Sequence, residues 1–184
     1  MTRGSTLPAH PPSPLSGCLA IPAQTRVSRA PLLDGFNDAP VDEALRTLLA
    51  CLRSPGWARR VAAHRPYPTL DALLAASDEA AYDLTSADLA EALAAETLPA
   101  LPDDAYGAAH TALGAAHAAY EARFGHAFVI SLAAVPPDER LDHVLEGIRS
   151  RLANDPEDER VVAAEELRRL AKARLASRFR ASGP

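Results

Sequence analysis

Apolar residues recur every three to four positions through most of the chain beyond Pro31, the period of a helix with one buried face. Leu45, Leu48, Leu49 and Leu52 form the first stripe, in a helix predicted over 41–52. Asp42 and Glu43 stand near its start, where the helix dipole favours acids. Ser54-Pro55-Gly56 ends it, and 57–63 predicts a short second helix stopped by Arg65-Pro66-Tyr67-Pro68. Thr69 precedes a third over 70–82, with Leu70, Leu73 and Leu74 on one side. Thr85 or Ser86 caps a fourth over 87–95. After a Pro-containing break at 98–103, residues 105–124 read as a long Ala-rich helix closed by Gly125. Pro136-Pro137-Asp138 opens the next, with Leu141, Val144, Leu145, Ile148 and Leu152 as its core face. Asn154-Asp155-Pro156 is a turn, and 157–179 predicts a closing helix built on Val161, Val162, Leu167, Leu170 and Leu175. The short apolar run 128–132 fits a strand, a buried extended turn or a helix start, and its isolation argues against a sheet.

The expected architecture is all-α: an irregular single-domain bundle of about seven helices over residues 31–180. Residues 1–30 carry Pro8, Pro11, Pro12, Pro14 and Pro22 and show no apolar period, which predicts a disordered Pro-rich tail. The same prolines interrupt any secretory apolar core. Residues 181–184 are expected to fray.

Composition sharpens this picture in three places. Hydrophobic residues reach 48% with only 5% aromatics, so the core is built from Leu and Ala, the better helix formers. A formal net charge of -5 argues against a nucleic-acid partner. No apolar run is long enough to cross a membrane. The two cysteines, Cys18 and Cys51, are too few for a four-thiolate zinc site, and the chain reads as a reduced, cytoplasmic protein.

Few side chains form a recognisable catalytic pattern. His110, His117 and Glu121 share one helical face at spacings of seven and four. These are zinc-ligand types, but ligands on one helix usually stand three or four apart, so no metal is expected. No Gly-x-Ser-x-Gly element and no Gly-rich phosphate loop occurs. A glutamate such as Glu96, at the end of an Ala-rich helix, ordinarily reads as a solvated side chain. Arg174 stands among Arg168, Arg169, Lys172 and Arg178, where it serves either as a basic helix end or as a carboxylate clamp.

Several motifs form an ordered set. Phe36-Asn37-Asp38-Ala39-Pro40 comes first, then Cys51-Leu52-Arg53-Ser54-Pro55-Gly56-Trp57-Ala58 and Arg65-Pro66-Tyr67. Tyr120-Glu121-Ala122-Arg123-Phe124-Gly125-His126-Ala127-Phe128-Val129-Ile130 and Arg151-Leu152-Ala153-Asn154 follow, and Glu165–Leu175 closes the series. In order and spacing the set resembles the 2-oxo-4-hydroxy-4-carboxy-5-ureidoimidazoline (OHCU) decarboxylase family over roughly residues 34–179. The resemblance implies an all-helical, dimeric, cofactor-free carboxy-lyase of urate breakdown that turns OHCU into (S)-allantoin. It implies that the substrate, a small ureidoimidazoline, meets the backbone amides of Phe128, Val129, Ile130, Ser131 and Leu132, and that Arg174 matches the family's C-terminal arginine.

The chain also departs from the family pattern. The family's His-Pro pair reads Glu96-Thr97, its Ser-x-x-Glu-Gln segment is missing, and His117 stands where the family has Asn. The candidate catalytic set is therefore Glu96, His117 and Arg174, with His117 as a replacement imidazole. A carboxylate at 96 repels a substrate carboxylate when ionised, and donates a proton only if burial raises its pKa. Two readings stay open: an active decarboxylase, and a lapsed relative that binds a ligand or a partner.

Overall fold

The computed structural model describes residues 31–98 and 107–180, together with Met1. The Pro-rich tail and residues 181–184, for which disorder and fraying were expected, lie outside the described residues. Eight α-helices and no strand occur among those residues: α1 (Pro31–Asp38), α2 (Val41–Leu49), α3 (Pro55–Ala63), α4 (Leu70–Tyr82), α5 (Ser86–Ala95), α6 (Gly107–Phe124), α7 (Arg140–Arg151) and α8 (Pro156–Arg180). A 3-10 turn at Pro137–Glu139 leads into α7.

Local chemistry sets the helix starts. Ser54 Oγ accepts from Trp57 N at 3.3 Å, and Thr69 Oγ1 accepts from Ala72 N at 3.1 Å. Of the two candidate caps for α5, Thr85 is the one used: it forms a reciprocal capping box with Asp88. The bond from the Thr85 hydroxyl holds the Asp88 carboxyl below its ordinary pKa. Gly125 takes a φ of 77° just after α6, a conformation that favours glycine.

The bundle has one helix more than the periodicity predicts. At two turns, α1 is too short to display a period, and its stability comes from tertiary packing. Leu33 and Phe36 are buried, and the Phe36 ring meets Phe179 edge-on at 5.3 Å between centroids. Asn37 clamps the same end, pairing its side-chain amide with both Tyr67 O (2.9 Å) and Tyr67 N (2.8 Å).

α8 runs across the bundle and packs against α4 and α5. Its buried positions recur every four residues: Glu159, Ala163, Leu167, Ala171, Leu175 and Phe179. Val161, expected in this core face, is exposed, because it points to the opposite side of that stripe. The larger core joins α1–α5 to α8 around the fully buried Trp57, whose Nε1–H donates to Ser77 O at 3.0 Å. A smaller core gathers Leu113, Tyr120, Phe128, Ile130, Val144 and Ile148 from α6, α7 and the run between them. That run, 128–132, is neither helix nor strand; it is an irregular segment in which Phe128, Val129 and Ile130 are buried.

Leu167 sits at the centre of the α8 stripe and is 1% exposed. Leu167→Ala is expected to lower unfolding free energy by about 2–5 kcal/mol, read from the urea midpoint at unchanged slope.

Candidate functional site

A buried polar network fixes the segment 128–132. Arg151, at the end of α7, donates through Nη1 to Val129 O at 2.7 Å and through Nε to Glu159 Oε1 at 2.9 Å. Its guanidinium lies over the Phe128 ring, 4.5 Å from the centroid. Glu159, 0% exposed, also accepts from the Tyr120 hydroxyl and, at 2.9 Å, from Asn154 Nδ2. Burial, together with the bond to Glu159, pushes the Tyr120 phenol above its ordinary pKa. Further along the segment, Ser131 N–H donates to Glu166 Oε2 at 2.7 Å. The Ser131 amide is thus engaged by the protein itself. Gly147 allows α7 to lie close: a Cβ there would stand 3.0 Å from Ile130 Cδ1.

The segment forms one wall of a cavity of about 470 Å³. Leu170, Ala173, Arg174 and Ser177 of α8 form a second wall, Thr97 and Leu98 the rim after α5, and Arg140 a further edge.

Arg174 is held end-on. Its Nη1 donates to Glu96 Oε1 at 2.8 Å and to Cys51 O at 2.9 Å, and its Nη2 donates to Glu96 Oε2 at 2.9 Å. The pairing raises the Arg174 pKa above its ordinary value, against the opposing effect of burial. Arg53 Nη1 donates to Ala95 O at 2.8 Å and so fixes the end of α5 one residue before Glu96. The solvated reading of Glu96 is corrected here: its side chain is 4% exposed, drawn inward by the guanidinium, while that of Arg174 is 36% exposed. A guanidinium has five N–H donors. The three bonds above leave Nε–H and the outer Nη2–H, the side edge of the fork, without an acceptor among the described residues.

The structure therefore brings Arg174 together with Phe128, Val129, Ile130, Ser131 and Leu132 around one cavity, and brings Glu96 onto Arg174. It does not bring His117 there. His117 points from α6 into the smaller core, its ring 6.1 Å from that of Phe128, and Nε2 is buried without a hydrogen-bond partner. Burial lowers its pKa, and the nearby Glu121 carboxylate opposes this only in part. His117 packs against Phe128 and is not itself among the residues that line the cavity. Among the described residues no three His, Cys, Asp or Glu side chains stand together as a metal site, and the side chain of His110 lies outside them.

Sequence reasoning did not single out Arg140 or Glu159. Tyr120, Arg151, Asn154 and Glu166 lay in the motifs without being assigned a part in the site. The available signal was the spacing of four that places Glu159 on the buried face with Ala163 and Leu167.

The family model described as OHCU decarboxylase matches residues 37–101 and 99–176. Two solved structures are similar. The crystal structure of (S)-allantoin synthase has 21% identity and a TM-score of 0.62, covering 80% of this chain and 54% of that one. The crystal structure of OHCU decarboxylase in the presence of (S)-allantoin has 19% identity and a TM-score of 0.63, covering 77% and 99%. The chain thus spans about half the length of the allantoin synthase chain. At these identities the likeness is one of fold. No curated protein matches.

Two outcomes follow from the buried groups. Glu159→Ala leaves the Arg151 charge buried and unmatched, and is expected to cost about 3–5 kcal/mol in urea unfolding. His117 has a folded pKa below the ordinary 6.5 of a free imidazole, so the unfolded chain binds more protons in that window. Stability therefore falls as pH drops below about 6.5, and His117→Leu is expected to flatten that fall in unfolding midpoints measured across pH.

Proposed function

Because the chain belongs to the OHCU decarboxylase family, we propose that its cavity binds OHCU, or a closely similar carboxylated ureido heterocycle, and releases the carboxylate as carbon dioxide. The observation that carries this reading is the side edge of Arg174, unengaged among the described residues, on a cavity walled by residues 128–132. The resemblance implies that the reaction is cofactor-free and that the protein works as a homodimer; the cysteine usage of the sequence points to the cytoplasm.

In decarboxylation the bond between the ring carbon and the carboxylate carbon breaks. Carbon dioxide leaves, the electron pair stays on the conjugated ring, and a proton then adds. Donors aimed at the site where that charge develops supply the largest catalytic effect, because they need no reorganisation during the reaction. The Nε–H and Nη2–H edge of Arg174 fits this role, held in place by Glu96 and Cys51 O. Glu96 serves as a positioning residue in this scheme. Its two oxygens are both bonded to Arg174, so its charge is balanced and does not repel an incoming carboxylate as an unpaired one would. Water supplies the proton, oriented by the hydroxyl-bearing residues Ser131 and Ser177 that border the cavity.

A second reading, binding without turnover, is favoured by the same ion pair. A carboxylate locked on Arg174 stands where the family has an imidazole, and the described lining residues include no His, Asp or Glu. The test generates OHCU in place with urate oxidase and 5-hydroxyisourate hydrolase. Loss of OHCU is followed by ultraviolet absorbance, and the handedness of allantoin by circular dichroism. Active protein accelerates the loss, and Arg174→Ala is expected to lower kcat by roughly 10²–10³-fold, the effect of removing one such donor. A folded, helical sample that leaves the OHCU decay rate unchanged would establish the second reading and reject the first.

A further inference from the structure

The cavity carries a second guanidinium with no assigned role. Arg140 is the first residue of α7 and follows the stiff Val135-Pro136-Pro137 stretch and its 3-10 turn. Its Nε–H donates to Val135 O at 3.2 Å, which closes a five-residue loop over the stem of the side chain. Both Nη groups lack an acceptor among the described residues, and the side chain lines the same cavity as Arg174. Asp138 and Glu139, its neighbours in sequence, are exposed and form no ion pair with it.

The charges in the cavity are distributed unequally. Glu96 matches the charge of Arg174 through two parallel bonds. An anion approaching that pair meets one positive and one negative group at similar range, and the two Coulomb effects largely cancel. Glu166, the other acid near this wall, is committed to Ser131 N–H and to Arg169 Nη1. Among the described residues Arg140 has no such counter-charge, so the net positive charge of the described cavity lining resides on it.

Resting on the reading that the cavity takes a carboxylated heterocycle, we propose that Arg140 is the residue that binds the ligand's carboxylate and selects anionic over neutral ligands, leaving the edge of Arg174 to the ring. A planar guanidinium with free Nη groups matches a carboxylate bidentately. The charge it binds disappears as carbon dioxide forms, so Arg140 holds substrate and releases neutral product. Its contribution is to substrate binding, and therefore appears in KM more than in kcat.

The test uses the full chain and a stable pair of probes, 2-oxoimidazolidine-4-carboxylate and its 4-carboxamide, which share a cyclic urea and differ in charge. Calorimetric titration of the unaltered protein is expected to show the carboxylate bound about tenfold tighter, equivalent to about 1.4 kcal/mol. Arg140→Gln is expected to reduce that preference to within about twofold while Arg140→Lys retains part of it, since Lys keeps the charge and loses the fork. Arg149→Gln removes one charge from an exposed part of the same helix and is expected to leave the preference intact. Circular dichroism of each variant establishes that it is folded. A tenfold preference that survives in Arg140→Gln would overturn the proposal, and its loss in Arg174→Gln alone would transfer the role to Arg174. OHCU turnover, measured in parallel, separates the two inferences. Turnover with no charge preference rejects Arg140 alone, whereas neither probe binding nor turnover rejects the carboxylate-binding cavity as well.

Discussion

The buried ion pair of Arg151 and Glu159 governs how the rest of the site is built. Two charges in a low-dielectric interior are tolerated only when the remaining donors and acceptors are also matched. Here they are: Glu159 receives Arg151, the Tyr120 hydroxyl and Asn154, while Arg151 spends a further donor on Val129 O. The four side chains come from α6, α7, the turn after α7 and α8. One cluster thereby sets the relative placement of three elements and of the irregular segment threaded between them. Without regular secondary structure, that segment has no ladder of its own to satisfy its backbone. Its carbonyl at Val129 and its amide at Ser131 are satisfied instead by Arg151 and Glu166. Side chains thus stand in for the missing ladder along the cavity wall.

The helices were legible in the sequence because each long one repeats its apolar face several times and ends at Pro, Gly or a capping residue. Where repetition was short or misleading, the reading failed for identifiable reasons. α1 has only two turns and is ordered by Phe179, from the far end of the chain. Val161 is apolar but off the stripe, whereas Ala163 and Ala171 are on it and look unremarkable in a chain so rich in Ala. Hydrophobicity ranks residues by what they tolerate, while close helix packing selects small ones.

The site was less legible because its chemistry lies in long-range pairs. The motifs brought Arg174 and residues 128–132 forward, and they do meet at one cavity. The environment of Glu96 depends on Arg174, 78 residues away, and on the Arg53 bond that fixes the end of α5. No local pattern at 94–98 carries that information. His117 shows the reverse case. Its place in the family resemblance pointed to the pocket, but the face of α6 on which it lies turns it into the aromatic cluster.

Where the resemblance implies an imidazole, position 96 carries a carboxylate, and this bears on more than one residue's chemistry. An imidazole beside an arginine leaves the guanidinium free to attract anions, and can itself exchange a proton near neutral pH. A buried glutamate takes the end of the fork, cancels its charge and fixes its orientation through two bonds. Arg174 then acts as an oriented pair of N–H dipoles rather than as a net cation. On the proposed function, attraction of a carboxylate falls to another part of the wall, and Arg140 is the described lining group with an unmatched charge. The proposal places orientation and attraction, which one guanidinium can supply together, on two. The separation is physically consistent with decarboxylation, in which the group that must be attracted is not the group where charge finally accumulates.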